Sequence, residues 1–186
     1  MFLFSALLFF IGYALAPTIY YKEINWLLKY PLWIIKWMDQ LSKQKWKPIY
    51  LFIFLFIINA FSLFVDLISA FIPILPFIFA IWTGINIGVV TYHTLEGSFY
   101  YAALLNPVAF FELPAAFLTF CMAFQYNFSK MGISTISMVE WKDIAFEHYL
   151  FLFLIVVLPV LFIAGIIETY LIHFSNKFGN DSDEDI

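Results

Sequence analysis

Apolar residues in this chain run in long blocks, separated by short polar clusters. The first block covers residues 2–21 (FLFSALLFFIGYALAPTIYY), and an α-helix needs about 20 such residues to cross a bilayer. Further blocks follow at 48–71, 77–95, 108–125 and 143–174, the last containing Pro159. The breaks between them have a chemistry of their own. Pro73 and Pro76 part the second block from the third, and Asn106-Pro107 precedes the fourth, as expected where a proline forbids helical geometry to the residue before it. No basic residue leads into the first block and no clear cleavage site follows it, so it reads as a retained transmembrane helix and not a signal peptide. The pattern predicts an all-α fold, a polytopic transmembrane helix bundle of five spans.

Residues 22–47 have a different pattern. Lys22, Lys29, Lys36 and Lys43 recur every seven residues, with Trp26, Leu27, Trp33, Ile34, Trp37, Met38 and Leu41 between them. Lysine and tryptophan together on an amphipathic segment predict a helix lying in the membrane interface, broken at Tyr30-Pro31. Six of the nine lysines fall here, which assigns this segment to the cytoplasmic side. Five spans then leave the N-terminus outside and the C-terminus inside. The chain divides into an N-terminal span (1–21), the interfacial segment (22–47), a membrane core (48–175) and an acidic tail (176–186). Within the core, Tyr126 to Lys142 reads as a polar loop whose Asn127 sequon would face outward, whereas that at Asn180 would face inward.

Composition narrows the function. Of 186 residues, 64% are hydrophobic and only 12% charged, with a mean hydropathy of +0.92 and a net charge of −4. A soluble domain carries about twice that charged fraction, so the bilayer is the main solvent and the first partner. All cationic side chains are lysine; without arginine the chain lacks the fork that grips phosphate in two places, and with its negative charge no nucleic-acid partner is expected. The single cysteine, Cys121, excludes an intrachain disulfide and reads as a small packed hydrophobe.

Three acids stand out against the apolar background: Asp66, Glu112 and Glu168. A charge at the centre of a membrane helix costs roughly 2.5–3.5 kcal/mol on insertion scales. Helical spacing places each on a stripe of small or polar residues: Asn59, Ser62, Ser69 and Ala70 around Asp66, then Ala115, Ala116 and Thr119 around Glu112, and Ala164 and Gly165 around Glu168. The third span adds Gly84 and Gly88, with Thr83, Asn86 and His93 nearby. Small residues let helices approach closely in lipid, so four spans are expected to turn one such face to a shared interior. Two functions fit these acids. They are structural, protonated or accepting hydrogen bonds from neighbouring helices, or they line a path for protons or cations.

Catalytic patterns are missing. There is no HExxH or GxSxG, the histidines at 93, 148 and 173 are scattered, and seven glycines form no phosphate loop. The expectation is a non-enzyme without cofactor or metal.

The string NPVAFFELPAAFLTFCMAFQ, and above all Phe111-Glu112-Leu113-Pro114-Ala115, resembles the characteristic segment of the stage II sporulation protein M family, where a turn leads into a Glu-Leu/Ile-Pro-Ala helix start. Asn59 in IINAF, the TGINIG segment (Gly84, Asn86, Gly88) and IAGIIETYL with Glu168 are similar to flanking elements of that family, in the same order. The resemblance spans residues 48 to 175. It departs at the turn, where Val108-Ala109 stands in place of His-Gly. It implies an integral membrane protein working in membrane-associated assemblies, with other membrane proteins or a second copy as partners. The Phe-, Ile- and Tyr-rich, lysine-only composition would suit an archaeal source. The lead expectation is a membrane scaffold or complex subunit, and the alternative is a small transporter or channel using Asp66, Glu112 and Glu168.

Overall fold

A computed structural model describes residues 1–42, 46–132 and 145–181. Among the described residues there are helices and no strand. α1 (Phe2–Tyr21), α3 (Pro48–Ile68), α4 (Leu75–Thr94) and α5 (Pro107–Lys130) follow the first four apolar blocks, and α2 (Asn25–Ser42) lies in the lysine/tryptophan segment. The fifth block begins as α6 (Phe146–Leu152), passes through a π-helical turn (Phe153–Val157) and continues as α7 (Leu158–Asp181). Five of these units are long and apolar enough to cross a membrane.

Contacts between named residues give the helix directions. Phe4 meets Phe77 and Tyr20 meets Tyr92, so α1 and α4 run parallel, whereas Phe4 meets Phe124 and Phe10 meets Phe117, so α5 runs antiparallel to α1. Asn59 meets Glu112 and Ala70 meets Asn127, so α3 and α5 also run parallel. Phe52 packs on Phe162 and Phe64 on Phe153, which sets α7 antiparallel to α3. Successive spans therefore alternate in direction. The most extensive packing is between α1 and α4, with α3, α5 and α7 forming a second group. The glycine face of α4 thus serves α1, while Ala80 of α4 joins residues of α3, α5 and α7 in the main core. Ser62, assigned to the inner stripe of α3, is exposed.

Prolines shape several helices. Pro31 does not break α2, which runs through it. The missing amide is offset because Pro31 is buried together with Leu27, Leu28 and Ile35, forming the face that α2 lays on α1 and α4. The sevenfold lysine stripe is shorter than expected: Lys22 caps the end of α1, only Lys29 and Lys36 lie on α2, and Lys43 is outside the described residues. The π turn ends just before Pro159, which cannot donate the regular bond to Ile155 and so shifts the ladder there.

α5 is longer than the sequence suggested. It continues through Tyr126 and Asn127 to Lys130, so the polar loop starts later, and residues 133–142 of it are outside the described residues. Its start is earlier too: the Asn106 side chain accepts from the Val108 amide at 3.0 Å and Pro107 occupies the first turn, a strong start signal. Pro114, expected at a helix start, consequently sits inside α5. α7 likewise extends to Asp181, into the stretch assigned to the acidic tail; residues 182–186 are outside the described residues.

Candidate functional site: the buried polar contacts of the bundle

The acids take up three different positions. Glu112 points from α5 toward α3, where the Asn59 side-chain amide donates to its Oε1 at 2.7 Å. Glu168 reaches in from α7 to within electrostatic range of Glu112. Its Oε2 is buried with no hydrogen-bond partner among the described residues. At the next residue, the Thr169 hydroxyl returns its hydrogen bond to the Gly165 carbonyl at 2.7 Å, so it satisfies its own helix. Asp66 stands apart. It is 6% exposed, and its Oδ2 lacks a partner among the described residues. Seven residues along α3 from Asn59, it lies roughly 10 Å further along the axis at 1.5 Å per residue. The structure thus joins Asn59 to Glu112, brings Glu168 into their neighbourhood and leaves Asp66 separate.

The other predicted positions serve packing. A Cβ on Gly84 would fall on the Phe9 carbonyl, and one on Gly12 would fall on that of Ile81. The α1–α4 crossing is therefore a backbone-to-backbone approach that only glycine permits. Gly88 makes room for Ala16 and for the Tyr100 hydroxyl. Asn86 is buried, its Oδ1 without a partner among the described residues. His93 is exposed, its Nδ1 2.8 Å from the Tyr20 hydroxyl. Asn127, read as an outward sequon, is 1% exposed. Its amide donates to the carbonyls of Ala70 and Ile72 at 2.9 and 3.0 Å. Those carbonyls belong to the turn after α3, whose end Ser69 also caps through its bond to the Asp66 carbonyl. In a bilayer such orphan carbonyls need an internal partner, and Asn127 provides it.

Sequence reasoning missed a second polar centre, formed by Tyr13 and Tyr100. Pro17 has no amide to give the Tyr13 carbonyl, and the Tyr100 hydroxyl donates to that carbonyl instead. In return the Tyr13 hydroxyl donates to the Tyr100 carbonyl at 2.8 Å, with the rings stacked at 4.5 Å. Tyr13 lies eight residues before the end of α1, or roughly 12 Å of helix. The segment between α4 and α5 therefore folds back into the bundle to that depth. α5 consequently starts deep: its sixth residue, Glu112, meets the twelfth of α3, Asn59. Phe99 and Leu105 of the same segment are 83% and 84% exposed, facing outward. A cavity of about 430 Å³ opens beside it, lined by Pro17, Tyr92, Gly97 and Tyr100 among others. Among the described residues no group of three or more His, Cys, Asp or Glu could hold a metal. The one sequence signal for this centre was Pro17, which frees a carbonyl without naming its partner.

Alternating apolar helices, re-entrant turn and buried acids define the class: a multi-pass, all-helical membrane protein. The model of the stage II sporulation protein M family matches residues 1–171, and the chain belongs to that family. No curated protein and no solved structure matches it. The family match takes in α1 and α2, which the motif resemblance had left out; the close α1–α4 contact gives a physical reason for treating them as one unit with the core.

Proposed function

We propose that the protein is a non-enzymatic membrane scaffold, a subunit of a membrane-associated assembly with other membrane proteins or further copies as partners. The observation that carries this reading is the use of three polar side chains inside the bundle as ties between its parts. Asn59 engages Glu112, Asn127 holds the α3–α4 turn and Tyr100 repairs the proline gap in α1. Each bond ties a helix to another helix or to a turn far from it in sequence, the work of groups that fix a bundle's register. By the excess of lysines on residues 22–47, the end bearing α2 faces the cytoplasm, with the N-terminus outside. Purification in mild detergent tests the reading: a co-purifying membrane protein or a defined oligomer is expected, and a stable monomer without partners would refute it.

A second reading draws on one observation, the approach of Glu168 to Glu112 beneath a helix that starts at depth. Interrupted helices at bilayer depth line ion and substrate sites in transporters. Proteoliposome flux of protons or monovalent cations separates the two. Flux that falls in E112Q or E168Q while folding is intact favours transport; absence of flux in the wild type removes it.

A further inference from the structure

The burial of α2 leaves a defined surface on its other side. Leu27 and Leu28 pack on residues of α1 and α4, and Pro31 and Ile35 on the same side of α2 are buried. At about 100° per residue, Trp26, Tyr30, Trp33 and Trp37 fall together on the opposite arc, with Lys29 and Lys36 along one flank. Trp26 is 73% and Trp33 58% exposed, and both lysines are exposed. The aromatic row is ordered by its own stacking: Trp33 lies parallel to Trp37 at 6.2 Å, Tyr30 stacks on Trp33 at 6.2 Å, and Trp37 rests on Phe54 of α3. Lys22 and Lys47, at the adjoining helix ends, are also exposed.

We infer that this arc is a binding surface for anionic phospholipid headgroups. Indole and phenol rings prefer the boundary between acyl chains and headgroups, which sets the depth of α2. The lysines beside them then lie at phosphate level, where an ammonium attracts anionic lipid. Rings held by stacking and by Phe54 present that flank in one orientation, so lipid selection needs no rearrangement of the helix. The inference rests on the reading that α2 lies at the interface, and it is independent of whether the bundle scaffolds a partner or carries an ion.

The test uses the full chain in nanodiscs mixing phosphatidylcholine and phosphatidylglycerol, with bromine on the acyl chains of one lipid or the other. Brominated phosphatidylglycerol is expected to quench tryptophan emission more strongly than brominated phosphatidylcholine at equal mole fraction. The limit of the preference is about fivefold for each lysine, the equivalent of its attraction to an anionic surface. High salt, and the variant K29Q/K36Q, should bring the two lipids level while leaving the melting temperature in place. A second variant, W26F/W33F/W37F, should remove most of the excess quenching, because it removes the tryptophan reporters on the arc. Equal quenching by the two lipids in the wild type, or an excess that survives either variant, would overturn the proposal. Both results are read without any partner protein, so they stand apart from the outcome of co-purification.

Discussion

Replacing Gly84 by alanine probes the closest contact in the fold. In an isolated helix the change would stabilise, since alanine exceeds glycine in helix propensity by about 1 kcal/mol. Here the new Cβ would sit 2.9 Å from the Tyr13 nitrogen and 3.0 Å from the Phe9 carbonyl carbon, with the Phe9 oxygen nearer still. Carbon atoms pack best at about 3.5–4.0 Å, so α1 and α4 must part by about 1 Å, and backbone cannot swing aside as a side chain can. Overpacking of this kind costs about 1–3 kcal/mol, enough to reverse the sign set by propensity. Gly165 supplies the contrast, because its nearest neighbour is the edge of the Phe52 ring at 3.3 Å. Unfolding in mixed micelles, followed by far-ultraviolet circular dichroism, should find Gly84→Ala destabilised and Gly165→Ala near neutral or stabilised. Gly12→Ala should resemble Gly84→Ala. The double variant should cost less than the sum, because one separation of the helices relieves both clashes. A Gly84→Ala protein as stable as the wild type would refute the close approach.

Three further outcomes follow from the buried polar contacts. Tyr100→Phe should lose about 1 kcal/mol, one hydrogen bond plus an unpaired carbonyl on α1, and a double-mutant cycle with Tyr13→Phe should show coupling; additive losses would deny the reciprocal pair. Glu112→Gln should unfold closer to the wild type than Glu112→Leu, since Gln keeps an acceptor for Asn59; identical thermal shifts would contradict this. Asn127→Ala should destabilise by about 1–3 kcal/mol, and folded protein made in a glycosylating host should remain unmodified at Asn127, which mass spectrometry of the corresponding peptide would check.

The sequence by itself determined the number and placement of the spans, because apolar block length is measured against a bilayer of fixed thickness and prolines mark where helices turn. Family membership was also legible, carried by Glu112, Pro114 and the Asn-Gly elements in their order. Spacing along one helix, however, shows which residues share a face and not which helix that face meets. Gly84 and Gly88 were grouped by spacing as packing residues, and what they meet is α1 and not the helices that bear the acids. Asn127 resembled a loop sequon because nothing local reveals that two carbonyls from a turn more than fifty residues earlier would come to it. Tyr13 and Tyr100 were indistinguishable from other aromatics until Pro17 left a carbonyl open at the depth to which the α4–α5 segment returns. In lipid each opened backbone group must find an internal donor or acceptor. Only the tertiary structure could decide which side chain supplied it, because those partners lie on separate elements, far apart in sequence.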